Sequence, residues 1–263
     1  MFSTVSLPST VGSRVGFAFT DRLDGFSTGT YSSLNLGRAG HDDGPTIVAN
    51  LAAVLQAIEV DKAVATCQVH SADVAFVDEE FVAGWTLNSV LSDTVSDQAH
   101  LQHVDALVTK LPGVALMMRV ADCVPVLLAD EQAGVIAAAH AGRVGLLAGV
   151  LTNTVACMRE HGANKIRAWV GPHICGSCYE VSPEMRAEVA LTHPEMAATT
   201  SWGTPSLDLT QGVTTELCNL GVTTIDDVAL CTLTNPDLFS YREDPETGRQ
   251  AGLIWMATAS TMR

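Results

Sequence analysis

Short Val-, Ile- and Leu-rich runs predict an α+β (mixed α/β) fold, because some are joined by tight turns and others by helical stretches. Val124–Ala129 and Val135–Ala139 are too short for helices and flank turn chemistry at Asp130–Gly134, so they read as a hairpin of buried strands. At Pro45–Glu59, by contrast, Ile47, Val48, Leu51, Val54, Leu55 and Ile58 recur at helical spacing. Hairpins mixed with helical connections favour a mixed sheet over a doubly wound parallel one.

In chain order, Gly16–Thr20 alternates like a strand, and Asp21–Gly37 is a long polar, Gly-rich loop of the kind that often carries function. After the first helix, Ala63–Val69 and Val74–Val77 read as strands separated by a polar turn that holds His70. Glu79–Val104 reads as a surface excursion; His100 and His103 have i, i+3 spacing there without other ligands nearby. Asp105–Lys110 and Val114–Val120 are strands joined by a Leu-Pro-Gly turn. Gly145–His161 predicts one helix, Ile166–Val170 a strand, Ser182–Leu191 and Leu209–Leu220 helices, Leu230–Thr232 a short strand and Ala251–Met256 the last strand.

The 263 residues suffice for a large core, in one elaborate domain or two. Fourteen basic against 29 acidic residues give a net charge of −15, which argues against a nucleic-acid or anionic-membrane surface. An anionic substrate would then need a local arginine cluster. There is no basic segment followed by a long apolar core at the start and no apolar run near the ~20 residues of a membrane span. With seven cysteines, the expectation is a reducing, cytoplasmic setting. Cys175 and Cys178 have C-x-x-C spacing, but no second such pair exists, so a four-thiolate zinc site is not expected.

The chemistry gathers between Arg119 and Gly145. Cys123 begins the first strand of the hairpin beside Asp122, and His140 ends the second before a small-residue Ala-Gly turn. Pairing of the strands puts thiol and imidazole at one end of the sheet. Either residue alone reads more readily as packing; their convergence points to a site.

With His70, these residues carry a resemblance that extends over most of the chain. Thr20-Asp21-Arg22-Leu23-Asp24-Gly25, Ser33-Leu34-Asn35-Leu36-Gly37, Gln68-Val69-His70, Ala121-Asp122-Cys123-Val124-Pro125, His140-Ala141-Gly142, Cys178-Tyr179-Glu180-Val181 and Thr247-Gly248-Arg249-Gln250 occur in order. In them the chain resembles proteins once called multicopper polyphenol oxidoreductase laccases. These are now described as purine nucleoside phosphorylase and adenosine deaminase enzymes, and in some bacteria as peptidoglycan editing factors. The resemblance implies a single laccase-like domain over 1–263, with layered mixed sheets flanked by helices and a cysteine-hydrolase-like architecture. It implies a zinc ion, or alternatively copper, on His70, Cys123 and His140. The chain departs from the family where Arg143-Val144 follow the His-Ala-Gly turn in place of Trp-Arg, and where Asp21 stands between Thr20 and Arg22.

Three protein ligands leave a zinc ion one open position, where water would be acidified to a pKa of roughly 7. That suits adenosine deamination, with Asp122 or Asp73 as proton shuttle or as a partner fixing a His tautomer. Phosphorolysis of adenosine- or inosine-type nucleosides needs cations for phosphate. Arg22, Arg119, Arg143 and Arg242 are candidates, with Arg22 and Arg242 ranked first for lying in family-like loops; Gln68 and Asn35 are candidates to read purine or sugar edges. The expected partners are thus a purine nucleoside and phosphate, with neither nucleic acid nor membrane; protein partners are left open. Rival readings are a copper-dependent polyphenol oxidoreductase with Met117 or Met118 as axial ligand, a Cys123–His140 amide hydrolase acting in peptidoglycan metabolism, and a non-enzymatic zinc module. With eight histidines and no His-x-His pair, the chain lacks the donors of a multinuclear copper cluster.

Overall fold

The structure, a computed structural model, describes residues 1–9, 13–38, 40–87, 89 and 103–258. His100 lies outside them. Two mixed sheets hold most of the described strands. One sheet runs in the order β1 (Phe2–Ser6), β2 (Val15–Thr20), β13 (Gln250–Met256), β6 (Val114–Val120) and β3 (Lys62–Val64). The other runs β12 (Thr224–Asp227), β9 (Arg167–Val170), β7 (Val124–Asp130), β8 (Val135–Ala141), β5 (Ala106–Thr109) and β4 (Val74–Val77). A small antiparallel ribbon joins β10 (Ala197–Thr199) to β11 (Pro205–Leu207). The β3–β6, β4–β5 and β9–β12 pairs are parallel and the others antiparallel, which makes both large sheets mixed, as the sequence predicts.

The alternation of β7 and β8 explains the layering. Successive side chains of a strand face opposite ways. Leu127, Ala129, Ile136 and Ala138 join a core shared with Phe19, Met117 and Leu253 of the first sheet. Val126, Leu128, Ala137 and Ala139 join a second core on the other side. Burial on both faces is why these strands read as unbroken apolar runs. The second core is completed by α2 (Arg143–Leu147), α3 (Val150–Glu160), α4 (Pro183–Ala190) and α5 (Leu209–Asn219), through Leu146, Val155, Met158, Val189 and Val213. Helix α1 (Gly44–Ala57) packs Leu51, Val54 and Leu55 into the first core. Short polar side chains start α1, α4 and α5: Asp43 accepts from Thr46 N–H, Ser182 from Met185 N–H and Asp208 from Gln211 N–H.

Several expectations change. The predicted helix Gly145–His161 is two helices, because Gly149 takes φ +89°, a left-handed conformation in which an α-helix ends. The predicted strand Ala63–Val69 stops at Val64, and the N–H groups of Val69, His70 and Ser71 go to the Asp105 carboxylate instead of a neighbouring strand. The strands on either side of the Leu-Pro-Gly turn belong to different sheets, β5 to the second and β6 to the first. Around Leu230–Thr232 there is a single bridge, between Cys231 and His173, while Thr224–Asp227 supplies the strand unread in the sequence.

Candidate metal and anion site

The β7–β8 hairpin does what its sequence requires. Pro125 pairs with His140 and Val124 with Ala141, so Cys123 and His140 lie at the same end of the second sheet. His140 shares the strand face of Ile136 and Ala138, towards the first sheet. His70 arrives from the turn between β3 and β4 and completes the set. The ligand atoms of His70, Cys123 and His140 all lie within 4.8 Å of one another. Cys123 Sγ is 3.7 Å from His70 Nε2, and the two imidazole centroids are 4.8 Å apart.

Asp105, which sequence reasoning passed over, holds this arrangement. Fully buried at the start of β5, its carboxylate accepts the N–H groups of Val69 (3.1 Å), His70 (3.0 Å) and Ser71 (2.7 Å). These bonds fix His70 at φ +60°, an uncommon conformation for a residue with a side chain. The same carboxylate meets His140 Nδ1 at 2.7 Å, so Nδ1 carries the proton and Nε2 is left for the thiol or a metal. The Asp105 carbonyl also accepts from His140 N–H at 2.7 Å.

The electrostatics follow from that geometry. Burial opposes ionisation of the Cys123 thiol, but hydrogen bonds from His140 and His70 outweigh it and bring the thiol down to about 6. Burial likewise opposes charge on His140, yet Asp105 and Cys123 raise it to about 9. Without a bound cation the pair is thus a thiolate and an imidazolium near neutral pH. Space is scarce: a Cβ on Gly142 would lie 2.5 Å from His70 Cδ2 and 3.0 Å from Cys123 Sγ.

The three residues open into a cavity of about 590 Å³, also lined by Arg38, Thr66, Cys67, Gln68, Arg119, Tyr241 and Arg249. Arg119 is buried, donates from Nη2 to Thr66 O at 2.7 Å, and is lowered to about 9 by burial and by the neighbouring Arg38 and Arg249. Burial also lowers Arg38 and Arg249. A buried guanidinium whose charge is disfavoured by burial and by two neighbouring guanidinium groups forms the kind of place an anion relieves. The buried Thr66 Oγ1 has no hydrogen-bond partner among the described residues.

The other sequence candidates fall elsewhere. Gln68 lines the cavity, but its amide is engaged at both ends with the Arg119 backbone, at 2.8 and 2.9 Å. Asn35 is buried and accepts from Gly37 and Arg249 N–H while donating to Asp42, which ties the first loop to the last turn. Arg22 donates to Ser32 O and covers the Phe239 ring, and Arg242 donates to Glu180 O beside Tyr179; neither lines the cavity. Asp122, at φ +89°, accepts from Thr232 Oγ1, Ser240 Oγ and Arg242 N–H, so its carboxylate anchors distant loops rather than facing the cavity. Asp73 is also absent from the lining. Arg249 lies in the Thr-Gly-Arg-Gln run and Arg38 directly after Leu36-Gly37, so proximity to these runs was the signal available for them.

Comparison with known proteins gives the family. Residues 16–257 match the family described as multi-copper polyphenol oxidoreductase laccase. The chain is 47% identical over 244 residues to "Purine nucleoside phosphorylase ORF3" of Streptomyces griseus, covering 91% of this chain and 94% of that one. It is 36% identical over 239 residues to "Purine nucleoside phosphorylase YfiH" of Escherichia coli, covering 89% and 91%. The crystal structure of YlmD from Geobacillus stearothermophilus superposes with a TM-score of 0.79 at 29% identity, over 93% of this chain and 92% of that one. On a match that spans most of both sheets and the whole cavity lining, the chain belongs to the multi-copper polyphenol oxidoreductase laccase family.

Proposed function

We propose that this chain is a metal-dependent purine nucleoside enzyme that cleaves adenosine- or inosine-type nucleosides with phosphate and also deaminates adenosine. One observation carries the reading: the convergent His70, Cys123 and His140 share a single cavity with Arg38, Arg119 and Arg249. The relatives named as purine nucleoside phosphorylases support it. The donor set fits a zinc ion, since two imidazoles and an ionised thiol leave one coordination position open and Asp105 fixes the tautomer of His140. Such an ion, when bound, supplies a Lewis acid that acidifies water for hydrolytic displacement. Copper would take the same three donors.

The chain's own groups do the rest. The guanidinium cluster holds phosphate in a molecule whose net charge of −15 otherwise repels it. Thr66 Oγ1 adds a donor beside Arg119. The exposed Tyr241 ring at the cavity wall offers a face on which a purine stacks. Asp105 keeps a proton on His140 Nδ1 and so directs Nε2 into the cavity.

The test is product analysis on adenosine with and without phosphate. Deamination to inosine needs the metal and no phosphate; release of free base rises with phosphate. Arg249→Ala raises the phosphate KM by about 10–100-fold, the worth of a charge-assisted hydrogen bond of ~1.5–3 kcal/mol, and spares deamination. Cys123→Ala loses metal and deamination together. Equal loss of both activities in Arg249→Ala would remove the phosphate assignment.

A second reading rests on the Asp105–His140–Cys123 chain, which has the order of an acid, base and thiol nucleophile in an amide hydrolase. A metal on the same sulfur suppresses that nucleophile. Chelation therefore separates the two: it abolishes nucleoside turnover under the first reading and unmasks thiol-dependent amide cleavage under the second.

A further inference from the structure

Cys175, Cys178 and Cys231 form a second convergent set, outside the cavity just described. Their sulfur atoms all lie within 4.8 Å of one another, and all three are free thiols. Two come from one turn: Cys178 N–H and Tyr179 N–H both bond to Cys175 O, at 2.9 and 3.0 Å, which folds the Cys-Gly-Ser-Cys segment back on itself. The third is delivered by the sheet. The parallel pairing of β12 with β9 carries the chain alongside residues 171–175, where His173 N–H bonds to Leu230 O (3.1 Å) and Thr232 N–H to His173 O (3.0 Å).

Cys231 Sγ accepts the N–H of Cys175 at 3.4 Å. Cys175 Sγ lies 3.1 Å from Ser177 Oγ. Cys178 is buried and the other two are half-buried. The nearby imidazole is already engaged: His173 Nδ1 lies 2.8 Å from Gly171 O and Nε2 bonds to Thr210 Oγ1. Three sulfurs with an N–H donor aimed at one of them, and no free imidazole joining them among the described residues, select soft cations over hard ones.

We propose that Cys175, Cys178 and Cys231 form a second metal centre, which takes one soft d¹⁰ cation of the zinc or copper(I) class on three thiolates. Ligands must lose their protons on binding, so uptake releases protons to solvent with no change of oxidation state. The centre staples the 171–181 loop to residues 231–234. Both segments also hang from Asp122, whose carbonyl accepts Ile174 N–H (2.9 Å) and whose carboxylate accepts Thr232 Oγ1. Because Asp122 precedes Cys123, the staple acts on the backbone next to the first centre without touching its donors.

The test uses anaerobically reduced full-length protein titrated with cadmium, read by the cadmium–thiolate charge-transfer absorption and by metal analysis after gel filtration. Wild type should take two equivalents and Cys123→Ala one, because the second centre survives loss of the first. Adding Cys231→Ser to Cys123→Ala should remove the remaining equivalent, while adding Cys218→Ser, an exposed cysteine outside the cluster, should not. Cadmium NMR on Cys123→Ala alone supplies a measurement that needs no change in the cluster: a shift typical of three sulfur donors supports the centre. A shift typical of one or two sulfurs overturns it. So does retention of the full band after Cys231→Ser, or absence of any thiolate band in Cys123→Ala. None of these readouts depends on nucleoside turnover, so the centre and the proposed activity stand or fall separately.

Discussion

Two buried carboxylates stand close to His70, Cys123 and His140, and they have opposite jobs. Asp105 collects three successive backbone N–H groups and one imidazole, and so sets the position of His70 and the tautomer of His140. Asp122 collects two hydroxyls and one N–H from the 232–242 region, and so sets where the last loops run. Asp122 is next to Cys123 in sequence and serves architecture. Asp105 is distant from His70, Cys123 and His140 in sequence and positions the two histidines. What separates them is the kind of donor each gathers: rotatable hydroxyls tolerate a substitute, whereas consecutive N–H groups in a tight turn have nowhere else to go.

The comparison breaks most sharply at Asp105→Ala. Removing the carboxylate strands three N–H groups and leaves His140 buried without its partner. The expected loss is about 3–5 kcal/mol in urea unfolding, the cost of breaking a buried charged pair. Bound metal should fall with it. If Asp105→Ala unfolds like wild type and keeps its metal, the role given to this residue is wrong.

Asp122→Asn is the milder counterpart. Asparagine tolerates the left-handed backbone at this position and still accepts hydrogen bonds from Thr232 and Ser240 through one oxygen. What is lost is the acceptor for Arg242 N–H, so the expected cost is about 1–3 kcal/mol with metal content retained. Loss of metal as complete as in Asp105→Ala would erase the distinction between the two acids.

The smallest effect sharpens the electrostatic side. In metal-free protein, alkylation of Cys123 by iodoacetamide should rise with pH through a midpoint of about 6, against 9 for an ordinary thiol. Above that midpoint the group is already thiolate, so raising the pH further should gain little. Asp105→Asn removes the charge that keeps His140 protonated, so the midpoint should move upward; Asp122→Asn should leave it in place. An unshifted midpoint in Asp105→Asn would show that His140 does not control the thiol.

Much of this was legible in the sequence. The β7–β8 pairing follows from two short apolar runs and a turn, and it alone brings Cys123 to His140. The mixed character of the sheets follows from hairpins alternating with helices. Asp105 was hidden because its partners lie 34 to 36 residues away on either side and no spacing rule links a strand-initial Asp to a turn before the preceding strand. Arg38 and Arg249 were overlooked in favour of Arg22 and Arg242 because the cavity is assembled from several separate segments, and proximity to a family-like run does not say which way a side chain points. Cys231 was a lone cysteine until a parallel strand pair, itself unread, carried it to Cys175. The break at Gly149 was overridden by helical spacing on both sides of it.

Gly142 has a consequence for reading other chains of this kind. Its backbone is ordinary and extended, φ −73° and ψ 160°, so any residue could adopt it. Glycine is there for room, since the first carbon of any side chain would press on His70 and on the Cys123 sulfur. A chain can thus forfeit the site by gaining an atom while every donor stays in place. A homologue that keeps both histidines and the cysteine but carries a bulkier residue after its His-Ala has preserved the letters and given up the space, and an inventory of ligands would count it as active.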